Sequence, residues 1–478
     1  MPDRERRRAI GVFAAAAITF LLALFSPLPI AGATAAHAGP AELGFCGGDD
    51  WEPSIAAGSS GHVYVLITHY QGNTACDPAS GRHDARIMIQ VSGDGGKTFG
   101  PPRVVANAPG GIAYPSQADP AIAVNQANGA VYVSFLAYGL SGGHTDVYVA
   151  KSTDSGRSFT AVKVNSHDCK NCDHPKILAS GRDVYVAYSQ ATNHFISLST
   201  DAGRSFTETD VLRQGVVGFA EGGVLDAHGN AWFTWADCRA SSCKGVPAVD
   251  YRVSKTLAGT AKTRFADVAT GDQGPACPFK PKCGFSFFGP QDDIGIDAAG
   301  TLYLVWQQGQ HPGTRGSPPV VNLSRCSSGC TSGSSWSFAG RVDDKNASGC
   351  AGSACYALFP AIAGGSRGQI HVTWFDDRNG APINHRNGWN VWYRTSTDGG
   401  ARWTTPGRRM SAYMPAESQS RRAGFLFPYG DYMRIELNPN CGGKPVMVWG
   451  EGHDWKGGPS APGHVNYRSL CPAPSKRL

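Results

Sequence analysis

Acidic side chains open nearly every apolar run of this chain. Glu52 stands in "DWEPSIAAG", Asp119 in "ADPAIAV", Glu221 in "AEGGVL", Asp292 and Asp293 in "QDDIGI", and Asp431 with Tyr429 in "PYGDYM", while His174 takes the place in "DHPKIL". Carboxylates brought together hold a cation or divide into proton donor and acceptor, and a phenol beside a carboxylate can be made nucleophilic. A second set follows the aromatic residues that end these runs: His69, Asp237 and Arg239 in "WADCR", Asp376, Asp377 and Arg378 in "WFDDR", and Glu451 and His453 in "WGEGH". The Asp and Arg of these strings suit either an internal ion pair or an anion clamp. A third cluster, "HDCKNCDH" (167–174), places His167, Cys169, Cys172 and His174 within reach of zinc, although an exported Cys-x-x-Cys favours a disulfide.

Seven hairpins are needed to position these residues. Each apolar run reads as a strand, a Gly-containing turn and a second strand alternating toward an aromatic residue, as in "DPAIAVNQANGAVYVSF" (119–135) and "FPAIAGGSRGQIHVTW" (359–374). An octapeptide alternates with them: "SGDGGKTF" (92–99), "STDSGRSF" (152–159), "STDAGRSF" (199–206) and "STDGGARW" (396–403). Its Asp can accept turn amides, its Gly can take positive φ and its aromatic residue can pack between sheets, so Asp94, Asp154, Asp201 and Asp398 are expected to be structural. Two hairpins per unit of about 50–70 residues predict an all-β propeller of four-stranded antiparallel blades, seven favoured over six. In such a blade the entry to the first strand and the connection between the second and third lie on one face, and the octapeptide turn on the other. The two sets of polar residues therefore converge at one mouth of the central channel.

The octapeptide resembles the Asp-box of bacterial neuraminidase repeats, and the chain resembles the sialidase superfamily over residues 45–471. That resemblance implies action on extracellular glycans and, in its most concrete form, a retaining glycosidase. Tyr429 would then be the nucleophile, Glu221 its base and Asp119 a candidate acid/base beside Asp77 and Asp84, with Arg239, Arg378, Arg421 and Arg422 as substrate clamps. The chain departs from the family at "DWEPS" (50–54), where Trp51 stands in place of the first clamp arginine. A non-catalytic propeller binding a cation, a glycan or a surface protein is the competing expectation. In it Asp292, Asp293 and Asp431 would hold calcium; no cofactor is otherwise required.

The remaining features concern export. Residues 1–38 combine a basic start, an apolar stretch from Ala9 to Phe25 and "AHA" (36–38), the pattern of a cleaved signal peptide, which leaves residues 39–478 as one propeller domain. Cleavage would remove four Arg, one Asp and one Glu, lowering the formal charge from +6 to +4. That is too weak a charge to imply nucleic acid, and no membrane contact is expected after cleavage. The expected product is a secreted monomer. Its 14 Cys fall into neighbouring pairs at 46/76, 169/172, 238/243, 277/283, 326/330, 350/355 and 441/471, which predicts local disulfides.

Overall fold

The computed structural model describes residues 41–44, 50–69, 85–106, 116–138, 144–190, 192–213, 215, 217–239, 248–272, 291–309, 317–344, 355–379, 388–411, 433–452 and 463–472. These residues form 28 strands, β1–β28 in chain order, in seven four-stranded antiparallel sheets. Blade 1 comprises β2 (Asp50–Ala57), β3 (Val63–His69), β4 (Arg86–Ser92) and β5 (Arg103–Val104). Blades 2 to 6 repeat this order over 116–163, 172–213, 218–272, 292–341 and 357–409. Blade 7 takes three strands from 434–469 and its outermost from β1 (Ala41–Leu43), which pairs with β28 (Gly463–Ser469). The ring is thus closed by joining its two ends. No helix among the described residues is long and apolar enough to cross a membrane.

The core lies between blades. Tyr64, Leu66 and Ile89 of blade 1 pack on Val131, Val133 and Phe135 of blade 2, and Trp51, Trp235, Trp374, Trp389 and Trp449 are among the largest fully buried side chains. Each such side chain contributes about 2–3 kcal/mol of burial, so the Val-Tyr-Val and Val-x-Trp triplets of the second strands are the glue of the ring.

All four octapeptides fold alike. In the first, Ser92 Oγ donates to Asp94 Oδ1 and accepts the amide of Gly96, while Asp94 accepts the amides of Lys97 and Thr98 and the Thr98 hydroxyl. Asp154, Asp201 and Asp398 repeat the Ser-to-Asp bond and accept amides three or four residues on. Each turn also touches the preceding blade. Tyr132 and Lys151 of blade 2 donate to the carbonyl of Ala202, Arg325 of blade 5 to that of Gly399, and Asn438 of blade 7 to that of Gly95. Gly96 has φ +86°, and a Cβ there would lie 2.1 Å from the hydroxyl of Tyr467 in blade 7. Glycine is required by conformation and by space at once.

The blades without an octapeptide have other closures. In blade 5 the Cys326–Cys330 disulfide closes the corresponding turn. Blade 4 uses a turn in which Gly259 donates to the Tyr185 hydroxyl of blade 3. Blade 7 has no covalent turn there, because its fourth strand, β1, comes from the other end of the described residues. Of the predicted disulfides, 169–172, 326–330 and 441–471 are formed, and Cys238 and Cys355 are also bridged. Cys46, Cys76, Cys243, Cys277, Cys283 and Cys350 lie outside the described residues, as does the predicted signal segment 1–38.

Candidate functional site

The first strands of five blades carry the same irregularity. Register shifts between Trp51/Ser54, Ala118/Ala121, Asp173/Lys176, Ala220/Gly223 and Leu358/Ala361 each set two residues against one, a β-bulge. The bulges present Glu52, Asp119, His174, Glu221 and Phe359 at the channel mouth. Four of these have φ of 51–52° and precede proline, which discourages the right-handed helical region in the residue before it. In blade 4 Gly222 replaces the proline, where a Cβ would fall 2.2 Å from Asp293 Oδ1 of blade 5. The expected convergence of strand entries is therefore produced by a repeated backbone feature.

Glu52 accepts the Thr68 hydroxyl (2.7 Å) and the amide of Asp119 (3.0 Å), linking blades 1 and 2. Ligating atoms of Asp119, Asp173 and His174 lie within 4.8 Å of one another. His174 Nδ1 is 3.4 Å from Glu221 Oε1. Burial opposes charge on this imidazole, but Glu221 and Asp173 outweigh it and raise its pKa to about 10. Asp119 of blade 2 and Glu221 of blade 4 thus meet on one cation from blade 3.

Counting acids against cations identifies the odd member of the cluster. Glu221 has His174, Asp293 has Arg434 at 3.0 Å, and Asp237 has both His194 (2.7 Å) and Arg252 (2.9 Å). Asp292, 3% exposed, makes no ion pair among the described residues. Burial first, and then Glu221 and the neighbouring aspartates, push its pKa well above the carboxylate range. Burial and these neighbours favour the neutral form of Asp292. It borders a water-sized cavity with Glu221, Gln291, Phe359, Pro360, Met433 and Arg434. Below lies the channel, a cavity of about 410 Å³ lined by small and aliphatic residues and by Lys176, Asp293, Arg434 and Glu436. Burial and the charge of Asp293 raise Glu436 to about 7, against an opposing bond from the Leu437 amide.

Two of the arginines named from sequence, Arg239 and Arg378, go elsewhere. Arg239 is more than half exposed and bonds Asp250 and Thr270 of its own blade. Arg378 is buried on Asp376, with Asp344 at 3.5 Å and the Trp392 ring 3.9 Å from its guanidinium carbon. The "WFDDR" string thus holds an internal ion pair, whereas in "WADCR" Arg239 pairs with Asp250 and Asp237 with His194 and Arg252. The guanidinium that reaches the cluster is Arg434, which also donates to the carbonyl of Glu221. Counted back along the strand from the first turn, Arg434 falls at the position of Ser54, Ala121 and Lys176, an offset that the loose repeat of blade 7 conceals. The mouth is accordingly not a uniform ring of acids; Lys176, His174 and Arg434 interleave with them. Asp293 is engaged by Arg434 through Oδ1 and by the Ile362 amide through Oδ2. Tyr429, Asp431, Arg421, Arg422, Asp77 and Asp84 lie outside the described residues.

The four possible zinc ligands separate into two environments. Cys169 and Cys172 are bridged, His167 Nδ1 is 2.6 Å from Glu208, and His174 belongs to the mouth. The bridge reading holds.

No protein-family model and no curated protein matches the sequence. Among solved structures, an ulvan lyase of polysaccharide lyase family PL25 superposes with a TM-score of 0.52 at 10% identity, covering 90% of this chain and 98% of that one. The Hadza microbial sialidase Hz136 gives 0.46 at 10% identity, and a Trypanosoma rangeli sialidase mutant with trans-sialidase activity gives 0.47 at 9%. This chain covers 66% and 54% of their lengths, respectively. At such identities the likeness is one of fold, and the fold of this chain is a propeller of seven four-stranded blades.

Proposed function

We propose that this propeller acts on extracellular glycans at the channel mouth, as a retaining glycosidase in which Glu221 takes the phenol proton of Tyr429 and Asp119 serves as acid/base. The observation that carries the reading is the meeting of Asp119 and Glu221 on His174. Two carboxyl groups from different blades, one basic residue between them and Asp292, its pKa raised by burial, alongside form the unequal set of proton sites that glycoside cleavage needs. Tyr429 stands four residues before Met433, whose side chain borders the same cavity as Glu221. In the reaction the Tyr429 oxygen bonds the anomeric carbon, the glycosidic C–O bond breaks, and the leaving oxygen takes its proton from Asp119. Water, deprotonated by Asp119, then releases the sugar. Arg434 and Lys176 supply positive charge for an acidic sugar, joined in the proposal by Arg421 and Arg422. The shared fold with a polysaccharide lyase supports the glycan as ligand class.

A divalent cation held by Asp119, Asp173 and His174 is the rival reading. His174, with its raised pKa, already provides positive charge there, which favours catalysis over metal binding. The test is release of a fluorescent leaving group from a panel of sialosides and other glycosides. Glu221→Gln and Tyr429→Phe should each lower kcat/KM by about 10³, or about 4 kcal/mol, with the near-UV spectrum unchanged. A wild-type protein inert across the panel, but stabilised by calcium, would overturn hydrolysis in favour of binding.

A further inference from the structure

The outermost strand of blade 6, β25 (Arg408–Arg409), is two exposed arginines. Arg408 is registered opposite Tyr393 and Arg409 opposite Trp392, so they stand on opposite faces of the blade edge. From blade 7, Arg468 on β28 crosses the seam and donates from Nη1 to the carbonyl of Met410, the residue after Arg409. Arg468 is 8% exposed, and its buried Nε has no hydrogen-bond partner. Burial, reinforced by the charges of Arg408 and Arg409, lowers its proton affinity.

Two other arginines of blade 6 are answered. Arg378 has Asp376, and Arg394 donates to the carbonyls of Thr404 and Val342. Arg408, Arg409 and Arg468 make no ion pair among the described residues. Three like charges with a desolvated donor left over form a local conflict that an anion would relieve. One small anion cannot meet guanidinium groups on both faces of an edge strand; successive charges along a polymer can.

We propose that the edge of blade 6 and its seam with blade 7 bind an anionic polysaccharide, Arg408 and Arg409 taking successive sulfate or carboxylate groups with the buried charge of Arg468 behind them. The site shares its ligand class with the reading above but none of its residues, so it stands or falls separately. The test is calorimetric titration of the full chain with a heparin oligosaccharide at several salt concentrations. Arg408→Ala with Arg409→Ala should weaken binding at least tenfold and flatten the salt dependence, since fewer counterions are released. Arg157→Ala with Arg204→Ala removes the same charge from exposed octapeptide turns and should leave affinity unchanged. Equal loss in both double variants, equally tight and equally sensitive binding of duplex DNA, or full competition by inorganic sulfate at matched charge would each overturn the proposal. Arg468→Lys keeps the buried charge and should leave affinity and salt slope within about twofold of wild type; a tenfold loss would overturn its role as a background charge.

Discussion

The two faces of the ring treat repetition in opposite ways. On the octapeptide face, four turns repeat the same residues and the same hydrogen bonds, each against the preceding blade. At the channel mouth, four bulges repeat φ to within a degree, yet their side chains are Glu52, Asp119, His174 and Phe359. One face conserves chemistry because every blade boundary has the same backbone groups to satisfy. The other conserves only backbone, which frees the side chain at each bulge to differ. Interchangeable parts mark structure, and non-interchangeable parts on one scaffold mark the place where a task is divided.

The sharpest way to break this contrast is to fill a glycine on the structural face. Gly96→Val sets a branched side chain against Tyr467 at positive φ and should cost about 4 kcal/mol of stability, seen as a large fall in the denaturant midpoint. A near-neutral result would mean that the blade 7–blade 1 seam tolerates repacking and that the turns do not clasp blades. A smaller effect is expected from His174→Gln, which leaves Glu221 buried without its cation at a cost of about 3 kcal/mol. Because the folded pKa of His174 is raised, its contribution is fully present below about 6.5, the ordinary histidine value, and is lost as pH rises through about 10. The variant should therefore show a flatter alkaline limb in melting temperature; an unchanged limb would exclude the His174–Glu221 pair as its source.

The smallest effect belongs to a single octapeptide carboxylate. Hydrogen bonds from the Thr98 amide and hydroxyl, from Ser92 and from the Lys97 amide outweigh desolvation and lower Asp94 to about 2. Stability from this group is present above its unfolded pKa of about 4 and is lost as pH falls through about 2. Asp94→Asn should cost about 1 kcal/mol in its solvated setting and flatten the acid limb of the melting curve. Asp201→Asn should behave alike, and a marked difference between the two would end the claim that these turns are interchangeable.

The structural face was legible in the sequence because its physics is local: Asp94 bonds amides three and four residues ahead, and the string that does so is its own signature. The mouth was legible only as a set of positions. Asp119 and Glu221 were found because strand entries can be counted, and their union through His174 follows from ring geometry. Arg239 and Arg378 misled because an arginine in a loop looks the same whether it faces a ligand or Asp250. Arg434 escaped notice because the loosely repeated "YGDYMRIELNPN" hides its offset, and its partners Asp293 and Glu221 lie 141 and 213 residues away. The absence of an octapeptide from blade 7 was seen in the sequence, but its reason, a fourth strand borrowed from β1, is a matter of topology.

That borrowed strand makes the molecule depend on the order in which it is made. Ala41–Leu43 emerge first and are used last, when Val465–Tyr467 arrive to receive them. Until then the growing chain carries a sticky ribbon at its beginning and an unfinished edge at its growing tip, each able to pair with another copy. A chain cut short before β28 would lose its ability to close the circle as well as one wedge, and the earlier six, however sound, would be left as an open arc.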